Sequence, residues 1–599
     1  MSMADSKTES SLDMDVFTYA DMIVDYLNQL NIDYVYGVPG GAIEPLFNAL
    51  SVSARYGGVA PVVARHESGA AFMADGYARE TGRIGVCCAT TGPGATNLIT
   101  GVSGAYADNT PMLVITAQTP LPKFGKRALQ DSSCAAIDTV GMFNHCTKYS
   151  TLVSHHEQLE TKLVSALMTA RNEPAGPVHV SIPSDVLRAV ALKQANVEKK
   201  TLRGRYTLTD QGAMDQMVIE LKSVDRVALF IGDGCKDAST EIMRFAEMIN
   251  APFVTGPMGK RWVDETHPLY RGVFGFAGHE SAKELLQDKN KELDLVIAIG
   301  AALGELGTRG WAGELMNEKL IHVDSRVEHF TRSHMARLHV CGHLPTIFRI
   351  VNEKLNRAQR YWNKEWKGLP QPKKMNINGC ATSLFDEEKC LSDENPIKPH
   401  RLFAHLSREL PADTRVFVDA GNAWSWSIQY YQRKEHDGKL HIAMGLGAMA
   451  WAIGAVVGSA GGNRADGALK PHVCITGDGS YLMSAQEITV AKQMKLPIVF
   501  LILNDSVLGM VMHGQRLGGA EQVGFELGEV DFAMMAQSMG IEGIVINTVE
   551  ELESIDYHRI FSKDGPTLID VRIDKEEIPP MGDRVKGLAV NGGSATPGG

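Results

Sequence analysis

Two carboxylates 27 residues apart are the clearest candidates for chemistry. Asp478 follows an apolar run in PHVCITGDGS, and Asp505 closes LPIVFLILND. Each acid ends a stretch patterned like a buried parallel strand. That places both on the edge of a sheet where open α/β folds bind ligands. Two hard oxygen donors suit Mg²⁺, which binds through one or two carboxylates and completes its shell with phosphate oxygens. Gly477 and Gly479 let the backbone approach a diphosphate, and a helix opening after Ser480 aims its free N–H groups at it. A lone Gly-Asp-Gly is explained equally well by a type I turn. An Asn-Asp pair at the end of the next long strand makes the ligand site the stronger reading.

A third acid, Glu67 in VARHESGAAFMADGYAR, ends a short strand and opens an Ala- and Gly-rich helix. The helix dipole favours a carboxylate there, so a capping role alone accounts for it. Two more glycine loops follow strands in the same segment, around Gly40-Gly41 and at Gly92-Pro93-Gly94. Three such loops in one unit point to a ligand cleft. Farther along, Gly445-Leu446-Gly447-Ala448-Met449 puts bare backbone and one bulky apolar side chain at the mouth of the Asp478 cleft. By itself, a helix packed closely on a sheet explains that run as well.

The elements that must position these groups are strands alternating with helices. At roughly 100–200 residues per domain, 599 residues make about three or four domains. The pattern divides into three α/β units, each a doubly wound parallel sheet, over 15–190, 205–355 and 397–580. The first has strands at VYGVPGGA, VVARHES, IGVCCATTG and PMLVITAQT. The second has them at VALFIGDG, PFVTGP, LDLVIAIGAA and KLIHVD. The third has them at VFVDAGN, HVCITGDG, PIVFLILND and PTLIDVRID. A polar linker covers 366–396, and disorder is expected at 1–14 and 590–599. A net charge of -11 excludes bulk nucleic-acid binding, which needs a basic face. The polar N-terminus lacks a signal peptide's basic start and apolar core, which implies a cytoplasmic protein. The uncharged stretch His441–Asn463 is long enough to cross a bilayer but contains six glycines. It reads as a glycine loop running into a buried helix, with no membrane span. The nine cysteines form no C-x-x-C pair and read as buried, reduced thiols.

Together GDGS…LND, VYGVPGG, RHESGAAFMADGYAR, TTGPGATN and GLGAM resemble the thiamine-diphosphate-dependent 2-oxo-acid enzymes, and among them the acetolactate (acetohydroxyacid) synthase group. The resemblance runs from about Thr18 to Ile578, with motifs in matching order and spacing. It implies that Glu67 hydrogen-bonds the cofactor's pyrimidine nitrogen and so promotes loss of the thiazolium C2 proton. Met449 would prop the cofactor in its bent shape, and Gly447 would offer a backbone carbonyl to the aminopyrimidine. Asp478 and Asp505 would hold Mg²⁺ with the Val507 carbonyl as third ligand. The family often has Asn where Asp505 stands, and Asp is an equally competent oxygen donor. Asn422 and Ala423, with Gly477, Gly479, Ser480, Gly509 and Met510, would line the diphosphate site. Gly41 and Gln130 would face the reacting end. The resemblance also implies a homodimer or homotetramer with the cofactor between the first unit of one subunit and the third of another. The substrates would be a 2-oxo acid, foremost pyruvate, and a second carbonyl compound. A decarboxylase or C–C lyase without ligation, and a pseudoenzyme scaffold, stand as alternatives.

The departures fall on substrate- and flavin-facing positions. Where acetolactate synthases carry a GARFDDR-like run that contributes to FAD binding, this chain reads GAALGELG over 300–307. The Arg and the paired Asp are missing, so FAD does not carry over with the resemblance. The bulky Trp that follows GMV in those enzymes is replaced by the pair His513-Gly514, which implies a larger, more polar acceptor pocket. His513 is a candidate acid/base group there. Lys260 is a candidate to meet a substrate carboxylate. His155-His156 lies past the matching region, at a helix start.

Overall fold

The apolar runs form parallel strands in three separate sheets of a computed structural model. It describes residues 16–191, 195, 202, 207–287, 293–362, 364–368, 375–433 and 438–581. The two expected disordered ends lie outside the described residues, as do parts of the linkers.

The first sheet holds β1 (Tyr34–Gly37), β2 (Ala60–Val63), β3 (Gly85–Ala89), β4 (Met112–Gln118), β5 (Tyr149–Leu152) and β6 (Pro177–Pro183) in the order β2-β1-β3-β4-β6-β5. The second holds β7 (Val227–Ile231), β8 (Phe253–Thr255), β9 (Tyr270–Val273), β10 (Leu295–Ile299), β11 (Leu320–Asp324) and β12 (Leu338–Cys341), ordered β12-β11-β10-β7-β8-β9. The third holds β13 (Arg415–Val418), β14 (Lys439–Ile442), β15 (His472–Gly477), β16 (Ile498–Asn504), β17 (Glu542–Ile546) and β18 (Thr567–Arg572), ordered β14-β13-β15-β16-β18-β17. The first and third sheets share one topology. Every strand pairing is parallel.

In doubly wound sheets the strand order reverses at one point, and ligands bind outside the strand C-termini there. That point falls between β1 and β3 in the first sheet, β7 and β10 in the second, and β13 and β15 in the third. The glycine loops after β1 and β3, and the Asp419–Asn422 and Asp478 turns after β13 and β15, therefore occupy ligand-binding edges by topology alone.

The first and third sheets are joined by two helices, α1 (Glu67–Thr81) and α3 (Trp451–Ala465). Between them in the chain lies α2 (Asn422–Tyr430). The crossing of α1 with α3 is built on glycine. A Cβ on Gly76 would stand 1.9 Å from the Ala455 carbonyl oxygen, and one on Gly458 1.8 Å from that of Met73. The backbones touch, which explains why α3 is glycine-rich and buried almost throughout. Among the described residues no helix is long and apolar enough to cross a membrane. Seven of the cysteines are buried, as expected. Cys341 is partly exposed and Cys134 is exposed on a loop, which corrects the expectation for those two.

Candidate active site

The first cluster gathers at the β1/β3 edge. Glu67 opens α1, with His66 as the capping residue. Asn97 Nδ2 donates to Glu67 Oε2 at 3.0 Å, and Oε1 takes no hydrogen bond from a described residue. The Gly92-Pro93-Gly94 loop runs beside it: a Cβ on Gly94 would come within 3.3 Å of Glu67 Oε1. Gly40 packs on Thr90 of the same loop, while Gly41 opens onto free space. Gln130 sits at φ +59. Its carbonyl accepts from Thr91 Oγ1 at 2.8 Å and from Ser132 Oγ at 3.0 Å, which leaves its side chain exposed. Glu67, Gly41 and Gln130 thus sit on loops that pack together through Thr90–Gly94.

The second cluster gathers at the β13/β15 edge. Asp478 Oδ1 accepts from the Gly479 amide and Oδ2 from the Ser506 amide, both at 2.7 Å. Asp505 Oδ1 accepts from the Val507 amide at 3.2 Å. Burial pushes the Asp478 carboxyl up to about 6. Burial, helped by the Asp478 charge, pushes Asp505 up to about 7. Two buried carboxyls, one of them raised further by the charge of the other, are what a divalent cation relieves. Val507 pairs with Glu526 in an antiparallel bridge whose hydrogen bonds run Leu508 N to Phe525 O and Leu527 N to Ser506 O. The bridge therefore leaves the Val507 carbonyl unused. Gly509 opens helix α4 (Gly509–Gly518), and a Cβ there would lie 2.5 Å from Asn422 Nδ2 and 3.1 Å from Asp505 Oδ2. Asn422 Oδ1 is buried with no hydrogen-bond partner among the described residues. This unfilled acceptor beside two raised carboxylates fits a cation, and the Asn422 Nδ2 donor with bare glycine backbone fits a diphosphate. Among the described residues no group of three or more His, Cys, Asp or Glu side chains gathers for a metal.

The GLGAM turn is held by a residue the sequence pattern does not reveal. Asp419 at the end of β13 is fully buried. It accepts from the Ala450 amide at 3.0 Å, from Thr476 Oγ1 at 3.0 Å and from Ser480 Oγ at 2.6 Å. Its only outward signal is an acid ending the apolar run VFV. Ser480 Oγ also accepts from the Ala450 amide at 2.7 Å. The Ser480 hydroxyl is therefore a structural link between the two turns, which narrows its expected ligand role to the backbone. Gly447 adopts φ +73, where a Cβ would stand 3.2 Å from the Trp424 ring, and Gly421 takes φ +117 just before α2. Both are left-handed conformations that favour glycine. Met449 and Met510 lie half-buried beside these turns, and Ala423 is buried in the first turn of α2.

Three candidates sit elsewhere. His513 is 1% exposed on α4, and burial holds its imidazole below the usual value. Among the described residues its Nδ1 has no hydrogen-bond partner. Lys260 is fully buried. It donates to the carbonyls of Ile428 at 2.9 Å and Tyr431 at 2.6 Å and pairs with Glu265 at 3.2 Å. It caps the C-terminal end of α2, where the dipole favours a cation, and is not open to substrate. The rings of His155 and His156 lie 4.2 Å apart, tilted at 31°, and His155 is exposed.

A cavity of about 1360 Å³ lies at the β7/β10 edge of the second sheet. Gly300–Gly307, Asp233, Lys236 and Arg261 line it, and Gly445 closes one side. It is thus adjacent to the GLGAM turn. Among the described residues no hydrogen bond or ion pair joins Glu67 or Asn97 to Asp478, Asp505 or Asn422.

Family models agree with this geometry. The thiamine pyrophosphate enzyme N-terminal TPP binding domain matches residues 17–140, the central domain 214–349 and the C-terminal TPP binding domain 419–571. The chain is 31% identical to the acetolactate synthase isozyme 2 large subunit of Escherichia coli, over 94% of this chain and 97% of that one. It is 30% identical to a probable acetolactate synthase large subunit of Methanocaldococcus jannaschii, over 94% and 93%, and to an acetolactate synthase of Arthrospira platensis, over 94% and 95%. The chain belongs to the thiamine-diphosphate-dependent enzymes of the acetolactate synthase family.

Proposed function

We propose that this enzyme decarboxylates a 2-oxo acid, foremost pyruvate, and transfers the acyl-anion unit to a second carbonyl compound to form an acetolactate-type product. The observation that carries the reading is the pairing of Glu67 at one ligand edge with Asp478 and Asp505 at its topological counterpart. Bound there, thiamine diphosphate supplies the electron sink for decarboxylation. The chain's part is to hold and orient it. Asp478, Asp505 and the Val507 carbonyl hold Mg²⁺. Asn422 and the glycine backbone at Gly477, Gly479 and Gly509 receive the diphosphate. Glu67, anchored through Oε2 to Asn97, keeps Oε1 free to hydrogen-bond the pyrimidine ring. Met449 and the Trp424-backed Gly447 shape the apolar side of the cleft. Gln130 and Gly41 bound the substrate end.

Two chains complete one site, with the first unit of one facing the third unit of the other, in a cytoplasmic homodimer or homotetramer. The separation of the two clusters within one chain supports that arrangement. The central cavity is roomy enough for a nucleotide, but the Arg and paired Asp of the flavin-binding run are absent from its Gly300–Gly307 wall.

The test is pyruvate turnover with thiamine diphosphate and Mg²⁺, followed by NMR, with an absorbance scan of the same protein. Acetolactate supports the carboligase. Free acetaldehyde from pyruvate alone replaces it with a decarboxylase. A flavin band assigns the central cavity, and a colourless active protein removes flavin from the reading.

A further inference from the structure

Glu487 belongs to the third unit, nine residues after Asp478, yet its carboxylate ends against the loop that carries Glu67. Both its oxygens accept from the Arg65 amide at 3.1 Å, and Oε1 also accepts from the His66 amide at 2.8 Å. Arg65 reaches back: Nε donates to Thr489 Oγ1 at 2.8 Å and Nη2 to Gln493 Oε1 at 3.0 Å. On the other side of Glu67, Gly69 leaves the space the acid needs, since a Cβ there would stand 2.5 Å from Glu487 Cδ. The carboxylate thus lies against Arg65 and His66 before Glu67 and against Gly69 two residues after it.

Glu487 is 0% exposed, so it meets no substrate. Its carboxylate has lost its hydration, and amide donors return only part of that loss. An apolar side chain of the same length would fill the space without the penalty. What the carboxylate adds is direction. Two successive amides aimed at one group fix the backbone of residues 65 and 66, and with it the point from which Glu67 leaves the chain.

We propose that Glu487 is a positioning residue for Glu67: it holds the Arg65 and His66 amides and the first turn of α1, and so sets how Glu67 meets the cofactor. The packing of the third unit on the first within one chain then governs Glu67. This rests on the reading that Glu67 contacts thiamine diphosphate.

Two readouts on the full-length protein test it. Amide exchange by mass spectrometry, without cofactor, reports on residues 60–70. Exchange of the cofactor C2 proton into D₂O, with Mg²⁺ and no 2-oxo acid, reports on Glu67. In Glu487→Ala the Arg65 and His66 amides should lose protection while β15 and β16 keep theirs. C2 exchange should slow roughly ten- to a hundredfold, with the thiamine diphosphate Kd within about threefold of wild type. Glu487→Gln keeps one acceptor oxygen and should fall between. Glu67→Gln is the reference. If it exchanges C2 at the wild-type rate, the reading of Glu67 falls and this inference with it. If it is slow but both Glu487 variants exchange C2 like wild type, the inference alone is overturned. Slowed exchange explained wholly by weaker cofactor binding overturns it too, because that is a structural effect. Should Glu487→Ala not fold, Glu487→Gln decides, and a wild-type C2 rate in that variant rejects the proposal.

Discussion

At the metal site proposed for Asp478 and Asp505, the burial that would serve binding would also make it depend on pH. Burial holds their carboxyls at about 6 and about 7, so protons compete with the cation near neutrality. Folded pKa values raised above the unfolded ones mean that the apoprotein binds extra protons at mildly acidic pH. Its stability from these groups is fully present below the unfolded value and falls as pH rises through about 6 to 7. Mg²⁺ with thiamine diphosphate should reverse that loss, as a fluorescence-monitored melt with and without ligand would show. Asp478→Ala should abolish Mg²⁺-dependent cofactor binding, and unchanged affinity in a Mg²⁺ titration would remove Asp478 from the metal site. Asp505→Asn keeps an oxygen donor. It should retain binding and move the pH midpoint of Mg²⁺ affinity down by on the order of one unit, since one competing carboxylate is gone. The residues at this scale that were legible in the sequence are acids and glycines directly after strands, where residue type and place already imply chemistry. Asp419 and Glu487 are acids of the same types that escaped notice. What distinguishes them is burial against a distant segment, a tertiary property that local pattern does not record. Lys260 failed the other way: a suggestive position, with its charge already matched by Glu265 and two carbonyls.

Among the elements, the strands that sequence pattern picked out are mostly the interior ones, long and continuously apolar. Those it passed over are β5, β9, β12, β14 and β17, each at a sheet edge, together with β6. Edge strands such as β5 and β12 are short and half-exposed, so they carry no apolar run to recognise. In β6 two prolines and the buried polar His179 and Ser181 break up the run. The α1–α3 crossing was legible only as a glycine excess. Its reason is backbone contact between units. Gly458→Ala pushes a methyl into the Met73 carbonyl at 1.8 Å and should destabilise by about 2–3 kcal/mol, seen as a lowered Tm. Gly104 lies in the helix Ile99–Ala107, and a Cβ there would meet no atom within 4 Å. Gly104→Ala should therefore stabilise by about 0.5–1 kcal/mol. Equal effects of the two substitutions would mean that helix propensity, and not the crossing, sets the cost.

On the scale of the whole molecule, the two halves of the proposed site lie at the ligand edges of two different sheets of one chain. Glu67 serves one edge and Asp478 the other, and the first and third sheets repeat the same topology. A two-fold pair of chains would set each edge against its counterpart and form two equivalent sites. Subunit mixing tests this directly. Glu67→Gln and Asp478→Ala are each expected to be inactive as pure proteins. In a heterodimer of the two, one site receives both substitutions and the other receives neither. Random exchange of an equal mixture makes half the dimers mixed, each with one intact site of two, so activity should recover to about a quarter of wild type. If both carboxylate clusters of one chain served the same site, every site in the mixture would keep a defect and no activity would return. Sedimentation of the mixture, checked for exchange with differently labelled chains, makes a silent result count against the shared site.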